Sequence, residues 1–412
     1  MSKDMGSEIF DSRPAMSDVG VIALVPDQFS DVWQLRHQVL TRLSRYFYIV
    51  WCNPARSWRQ LRLFDGYPKR ESHDYWNTRD LPSFTIYHPG KWLPVVGRPA
   101  FLGRWTMRER LKQAHHLLSS HGCRKTILYI WRPEFAAVLD LIDHDLSCYH
   151  IDDEYTFSER EKPISECEAR LISFVDQVFI HSPALLEKKG KLNANTIFVP
   201  NGVDYHAYSM PRSEPEDLKR IPHPRIGYVG IIKKQLDIEL LIALVRRHPQ
   251  WSFVFVGPIE NVQNYATLIE QLASFCNVYF LGLKEVSALP AYTQHLDVCM
   301  LCYSVNHYTK YIYPLKLHEY LASGRPIVGS PIRSLLDFAH VIKLASTQEE
   351  WSRALTESLA PDAVSIDQVE KRRSIARQFD WGTLVHDIAR SMCNRLGPPY
   401  REQFRALNLE TF

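Results

Sequence analysis

The sequence predicts an α/β protein built as two open, mostly parallel sheets, and three observations carry that prediction. Short apolar runs rich in β-branched and aromatic residues alternate with longer amphipathic stretches, the pattern of βαβ units. The alternation runs once, is broken by a proline-rich stretch at 210–224 and begins again. At 412 residues the chain also exceeds the size at which one hydrophobic core stops growing.

In chain order, Val19–Val25 predicts a first strand ending at Pro26. A helix follows over Val32–Ser44, with Val32, Leu35, Val39, Leu40 and Leu43 on one face. Tyr46–Trp51 is the second strand, stopped by Asn53-Pro54; Thr126–Trp131, Leu146–Ile151, Val175–His181 and Thr196–Val199 complete the first half. The segment Met210–Pro224 holds four prolines and mixed charge, and reads as the linker. The second half restarts at Arg225–Gly230, continues through a helix at Asp237–Arg247 and a strand at Ser252–Val256, and adds strands at Val278–Leu281, Val298–Cys302 and Ile327–Ser330. The expected organisation is a loose tail over 1–18, an N-terminal domain over 19–209, the linker over 210–224, a C-terminal domain over 225–385 and a C-terminal helix over 386–412 that packs back on the N-terminal domain. Open α/β sheets bind ligands at the carboxyl ends of their strands, so two such sheets predict a cleft between domains.

Composition narrows the class. A formal charge of +3, with 45% hydrophobic and 23% charged residues, is that of a soluble globular protein with no global pull toward nucleic acid. The eight cysteines show no spacing that builds a zinc site; Cys299 and Cys302 lie within a strand and have no second pair. Core cysteines in a reducing compartment are the expectation, and no metal is expected. The first 18 residues lack the apolar stretch of a signal peptide, and no run approaches the about 20 apolar residues that span a bilayer. The chain is therefore expected in the cytoplasm. One stretch stands apart: residues 55–112 are rich in arginine and aromatics, with basic residues exceeding acidic ones by about two to one. Trp58, Trp76, Trp92 and Trp105 beside Arg59, Arg104 and Arg108 suit lipid headgroups at the inner face of the cell membrane. A solvated insertion with rings packed on the core is the other reading.

Three clusters carry candidate chemistry. In Tyr313-Pro314-Leu315-Lys316-Leu317-His318-Glu319-Tyr320, Pro314 suits the first turn of a helix, whose free N–H groups and dipole attract phosphate. Lys316 adds a point charge for a diphosphate, and Glu319 can accept hydrogen bonds from a ribose diol. The same spacing is also that of an exposed helical ion pair. Asp152-Asp153-Glu154 follows an apolar strand, where a carboxylate can act as a base and like-charge repulsion raises one pKa; a solvated acidic loop or helix cap reads equally from the residues. Gly227 to Gly230, followed by Lys233 and Lys234, lets backbone approach phosphate closely, although a lysine pair in a loop is also simply solvated. This is not the G-x-G-x-x-G of nicotinamide enzymes. His37, inside a helix, reads as structural, and His181 similarly.

The Tyr313–Val328 stretch resembles the donor-site signature of GT-B glycosyltransferases of the "glycosyl transferases group 1" type, a fold of two Rossmann-like domains. Val199–Asp204, Ile226–Gly230, Phe255–Pro258, Phe280–Gly282 through Pro290, and Trp381 with its helix resemble further family segments in order. The resemblance implies transfer of a sugar from a nucleoside diphosphate sugar to a saccharide or lipid-linked saccharide in polysaccharide assembly, with no cofactor and no nucleic-acid partner. It implies donor contacts from Gly230, Lys233, Lys234, Gly257, Leu283, Tyr313, Pro314, Leu315, Lys316 and Glu319. Gln28 and Phe29, in the loop after the first strand, and Arg36, on the helix that follows, are expected on the acceptor side. The family's first glutamate, separated from the second by seven residues in many members, is here Tyr311 when counted back from Glu319. The Pro-Leu-Lys-Leu-x-Glu-Tyr core is also similar to the glucuronosyltransferase of xanthan assembly, which implies Asp153 as base, with Asp152 beside it, and Lys316 on the donor phosphates. A nucleotide-sugar epimerase and a non-catalytic partner subunit on the same fold are the alternatives.

Overall fold

β-branched and aromatic side chains bury both faces of two parallel sheets, as strands flanked by helices require. The computed structural model describes residues 13–30, 33–57, 83–156, 160–260 and 265–407. The expectations for residues 1–12, for Val32 and for 58–82, including Trp58, Arg59 and Trp76, lie outside the described residues.

The first sheet contains β1 (Val19–Leu24), β2 (Tyr48–Cys52), β3 (Phe84–Tyr87), β4 (Lys125–Ile130), β5 (Leu146–Ile151), β6 (Gln177–Ile180) and β7 (Thr196–Phe198), in the order β3-β2-β1-β4-β5-β6-β7. The second contains β8 (Arg225–Val229), β9 (Ser252–Val256), β10 (Val278–Gly282), β11 (Val298–Leu301), β12 (Ile327–Gly329) and β13 (Lys343–Leu344), in the order β10-β9-β8-β11-β12-β13. Both sheets step outward from their first strand and then reverse, β1 lying between β2 and β4 and β8 between β9 and β11. That reversal opens a crevice at the carboxyl ends of the central strands. β3 and β13 escape sequence reading. β3 lies within the arginine-rich stretch and only its two end residues are buried, while β13 has two residues.

By contacts the chain groups into two compact units, Met1–His150 with Glu166–Val178 and Val385–Phe412, and Ile151–Ser165 with Phe179–Leu384. Within the first, the Tyr46 hydroxyl meets His386 Nδ1 at 3.0 Å, Ser391 donates to Gln177 at 2.9 Å and Tyr400 donates to Asp18 at 2.9 Å. Within the second, the 210–224 stretch is packed rather than loose. Leu218 and Ile221 are buried, Glu214 pairs with Arg225, and Asp217 takes Lys284 at 2.7 Å and the Tyr292 hydroxyl at 2.8 Å. Four prolines marked a break in periodicity, but two leucine-class side chains with core to cover decided its packing.

All eight cysteines are free thiols, five of them buried. Cys299 and Cys302 sit fully buried at β11, and burial pushes both thiols up to about 12, so neither is a thiolate at neutral pH. Among the described residues no helix is long and apolar enough to cross a membrane.

Candidate active site

The site begins where β8 ends. Gly230 has φ +145°, a region open to glycine, and a Cβ there would lie 1.9 Å from Lys316 Cε. Gly257, at the end of β9 with φ +141°, lies beneath it; a Cβ there would meet the Gly230 carbonyl oxygen at 2.3 Å. The Gly230 N–H donates to the Val256 carbonyl at 2.7 Å. Two bare turns thus lie against each other, and the lysine side chain rests on them.

Lys316 comes from the helix Leu315–Ser323. Pro314 is its N-cap, one position earlier than the first-turn place expected, and no side chain caps the helix start. Its first N–H groups are therefore available to an anion. Gly324 closes the helix in the left-handed conformation at φ +76°. Three contacts hold the helix in place. The Val229 N–H donates to the Tyr320 hydroxyl at 2.8 Å, Asn201 Nδ2 donates to the Tyr313 carbonyl at 2.6 Å, and Ser334 donates to the Ile312 carbonyl at 2.7 Å. The Asn201 contact gives the Val199–Asp204 motif a role that spacing could not reveal: it ties down the approach to the helix that carries Lys316.

Lys316 and Glu319 do not form the exposed helical ion pair that the spacing allowed. Both are half-buried. Among the described residues no carboxylate lies within ion-pair distance of Lys316, whose ammonium sits 5.2 Å from the centre of the Tyr228 ring. Burial pushes its pKa down to about 8, with Glu319 opposing and Lys233 adding to the shift. Burial raises Glu319, against Lys316 and a hydrogen bond from Tyr208. A half-buried cation with no carboxylate beside it, next to an uncapped helix start, is an arrangement that gains from a bound anion.

Residues Ile151–Ser165 group with this same unit. The Tyr308 hydroxyl reaches both oxygens of Asp153, at 3.3 and 3.4 Å, and Asp153 Oδ1 accepts from the Glu154 N–H at 2.7 Å. Burial lowers the Lys233 pKa, with Glu260 and Asp153 working against it. Lys233 therefore feels Asp153, and Lys316 feels Lys233, so the three charges share one electrostatic neighbourhood. Asp152 is held by the Tyr155 hydroxyl. Glu154 is a buried clamp: it takes Lys188 at 3.0 Å, Lys189 at 3.4 Å and the Thr156 hydroxyl at 2.6 Å. Burial works to raise its pKa, but these partners outweigh it and hold the carboxylate ionised.

Tyr311, at the position of the family's first glutamate, is bonded to a carboxylate all the same. Its hydroxyl donates to Glu161, which also takes Lys310 at 2.7 Å and Lys188 at 3.5 Å. Hydrogen bonds from Lys310 and Tyr311 push the Glu161 carboxyl down to about 2. Neither Glu161 nor Tyr308 was singled out from sequence, because each belongs to a loop with no motif of its own.

Other expected residues take different places. Tyr313 is buried, its hydroxyl bonded to His318 Nε2 at 2.8 Å, so its ring helps to position the helix. Lys234 is exposed while Lys233 is half-buried. Leu283 is exposed, just past the positive-φ Gly282 that ends β10. In the first unit, Gln28 donates to the Pro54 carbonyl at 3.3 Å. Phe29 and Arg36 are core residues, a correction to their expected place on a ligand-facing surface. The Phe29 ring packs edge-on against Trp51 at 5.3 Å, and Arg36 Nε donates to Asp27 at 2.6 Å with its charge satisfied inside. A loop after a strand end can turn inward as readily as outward, and the nearby Trp51 and Phe84 drew Phe29 in. His37 is structural as expected, with burial pushing it down to about 4, and His181 Nδ1 caps the Ile151 carbonyl at 3.1 Å. Among the described residues no group of three or more His, Cys, Asp or Glu side chains is placed to hold a metal.

Residues 223–360 match the model for glycosyl transferases group 1. The chain is 29% identical over 243 residues to "Putative teichuronic acid biosynthesis glycosyltransferase TuaH" of Bacillus subtilis, a match over 56% of this chain; it spans 59% of that relative's length. Among solved structures, sucrose-phosphate synthase from Thermosynechococcus elongatus is similar with a TM-score of 0.67 at 16% identity, covering 95% of this chain and 100% of that one. HepE from Anabaena, in complex with UDP-glucose, gives 0.66 at 15% identity, covering 91% and 99%. These structural likenesses establish the fold, and the family match over residues 223–360 includes Gly230 and Lys316. Residues 223–360 are thus similar to glycosyl transferases group 1, within a chain of the GT-B fold.

Proposed function

We propose that the protein transfers a sugar from a nucleoside diphosphate sugar to a saccharide or lipid-linked saccharide acceptor in polysaccharide biosynthesis. The observation that carries this reading is Lys316: a half-buried ammonium without a carboxylate partner among the described residues, resting on Gly230 at an uncapped helix start. The UDP-glucose held by HepE and the teichuronic acid role in the name of TuaH support donor class and pathway.

In this mechanism the donor diphosphate lies at the start of the Leu315–Ser323 helix. The acceptor hydroxyl oxygen attacks the anomeric carbon as its proton passes to an Asp153 oxygen. The anomeric carbon–oxygen bond breaks and its electron pair goes to the diphosphate, where Lys316 and the helix dipole stabilise the new charge. Tyr308 orients Asp153 through its hydroxyl. Glu319 is placed for the ribose, and Lys233 adds positive charge to the phosphate side. Gly257, Leu315 and Leu283 line the remaining donor contacts. No metal or cofactor takes part in this scheme.

The protein works at the cytoplasmic face of the membrane, which it meets through 55–112. In the described part of that stretch Trp92, Phe101 and Trp105 are exposed, on a loop and on the helix Ala100–Ser120. Exposed rings among arginines suit an anionic headgroup layer.

A screen of radiolabelled nucleoside diphosphate sugars against free and lipid-linked saccharides tests the activity. Transfer with release of the nucleoside diphosphate is the expected result. Donor interconversion without acceptor, or donor binding with no turnover for any acceptor, would overturn it. The pH dependence follows from Lys316. The charged form is needed to hold the leaving group, and it is lost as pH rises through about 8. The free-enzyme profile of kcat/KM should therefore fall above about pH 8, and Lys316→Arg, always charged, should remove that limb from whatever activity remains.

A further inference from the structure

The first unit contains a cavity of about 370 Å³ whose walls come from the carboxyl ends of β1, β2 and β3 and from the inner face of the helix Ala100–Ser120. Its volume falls among those of small-molecule sites. Its chemistry is not that of a saccharide site, which needs several converging donors and acceptors. Leucine, valine, proline, methionine and aromatic side chains make most of the described lining; its polar groups are Asn53, Arg110, Arg132, Glu134 and the Tyr87 hydroxyl, which donates to Gln113 at 2.6 Å, beside the Cys52 thiol. Asn53 is already committed: its Oδ1 accepts from the Phe29 N–H and from Trp51 Nε1, both at 2.9 Å, and its Nδ2 faces His88 at 3.0 Å.

Arg110 is different. Its Nε donates to the Thr106 carbonyl at 3.2 Å, and among the described residues no carboxylate lies within ion-pair distance of its guanidinium. Burial lowers its pKa, against the influence of Tyr87 and Cys52. A cation facing a largely apolar chamber favours a ligand that brings its own anion and a hydrocarbon body. Val95 lines the cavity and is also exposed, so the chamber reaches the surface at that residue.

We propose that this cavity binds a phosphate ester of a hydrocarbon chain, the chain lying against Val95 and Met107 and the phosphate meeting Arg110. On the glycosyltransferase reading, this is the lipid-phosphate end of the acceptor. The two ideas can fail separately. Membrane phospholipid carries the same chemistry, and the test separates the two sources.

Calorimetric titration of the full chain with octyl phosphate below its micelle concentration, octanol, inorganic phosphate and UDP is the experiment. Octyl phosphate should bind at least tenfold more tightly than octanol or inorganic phosphate. Arg110→Met should weaken octyl phosphate at least tenfold and leave octanol unchanged, and Met107→Trp, which fills the chamber, should weaken both. Ala55→Trp, from another wall, serves if Met107→Trp does not fold. Trp92→Ala with Phe101→Ala should reduce binding to phosphatidylglycerol vesicles without changing octyl phosphate; if both fall together, the ligand is membrane phospholipid and the acceptor assignment is overturned. Equal affinity for octyl phosphate and inorganic phosphate, no binding of octyl phosphate, or indifference to Arg110→Met and both fillers overturns the cavity. Loss of UDP binding with octyl phosphate retained overturns the donor reading instead.

Discussion

Lys316→Ala is expected to lower kcat/KM for sugar transfer by about 10²–10³-fold, the usual consequence of removing a preorganised group aimed at developing charge. The reason lies in where that ammonium sits. It is half-buried, carries no carboxylate partner among the described residues, and is kept charged against a pKa pushed down to about 8. Such a charge gains most when the leaving diphosphate becomes more negative. Stability should respond in the other direction: Lys316→Ala removes an uncompensated cation, so the melting temperature should hold or rise. A steady-state assay with a thermal melt checks both together, and turnover within threefold of wild type would remove Lys316 from the mechanism. Gly230→Ala should reproduce the activity loss with the lysine still present, because its Cβ would occupy the space of Lys316 Cε, 1.9 Å away. That variant should also melt lower, since φ +145° strains any residue with a side chain.

Asp153→Asn should cut kcat by about 10²–10⁴-fold while donor affinity stays within about twofold, as expected for loss of a general base. The carboxylate is held by its own loop and by Tyr308, and the amide keeps its shape without its basicity. Tyr308→Phe should cost less, about tenfold or under, because it removes orientation and leaves the base. Asp152→Asn makes a useful contrast. Asp152 is engaged by Tyr155, so the same change one residue earlier should act mainly through loop geometry. Rates measured from acceptor and donor titrations distinguish these cases. Equal losses from Asp152→Asn and Asp153→Asn would mean that the loop, and not one carboxylate, is what matters.

Much of this site was legible along the chain because it is built from local rules. Gly230 and Gly257 punctuate strand ends, and Pro314 with Gly324 brackets the helix that carries Lys316 and Glu319. Acids directly after β5 mark a strand's carboxyl end. The misplaced residues share a different property. Phe29 and Arg36 were assigned by nearness to a strand end, yet their direction depends on Trp51, Phe84 and Asp27, whose packing no periodicity records. Tyr313 belongs to the motif, but its ring turns to His318 and its carbonyl to Asn201, 112 residues earlier.

By itself the sequence determined two parallel sheets, their restart near Arg225, and the lysine helix of the second half. Hydrophobic period, glycine and proline act over a few residues and leave their mark in the order of the letters. Tertiary structure alone decided that Lys316 stands without a carboxylate partner among the described residues, that Tyr308 reaches Asp153 across 155 residues and that Glu161 answers Tyr311. Charge pairing and desolvation depend on distances in space, and a loop without periodicity leaves no trace of what it will touch.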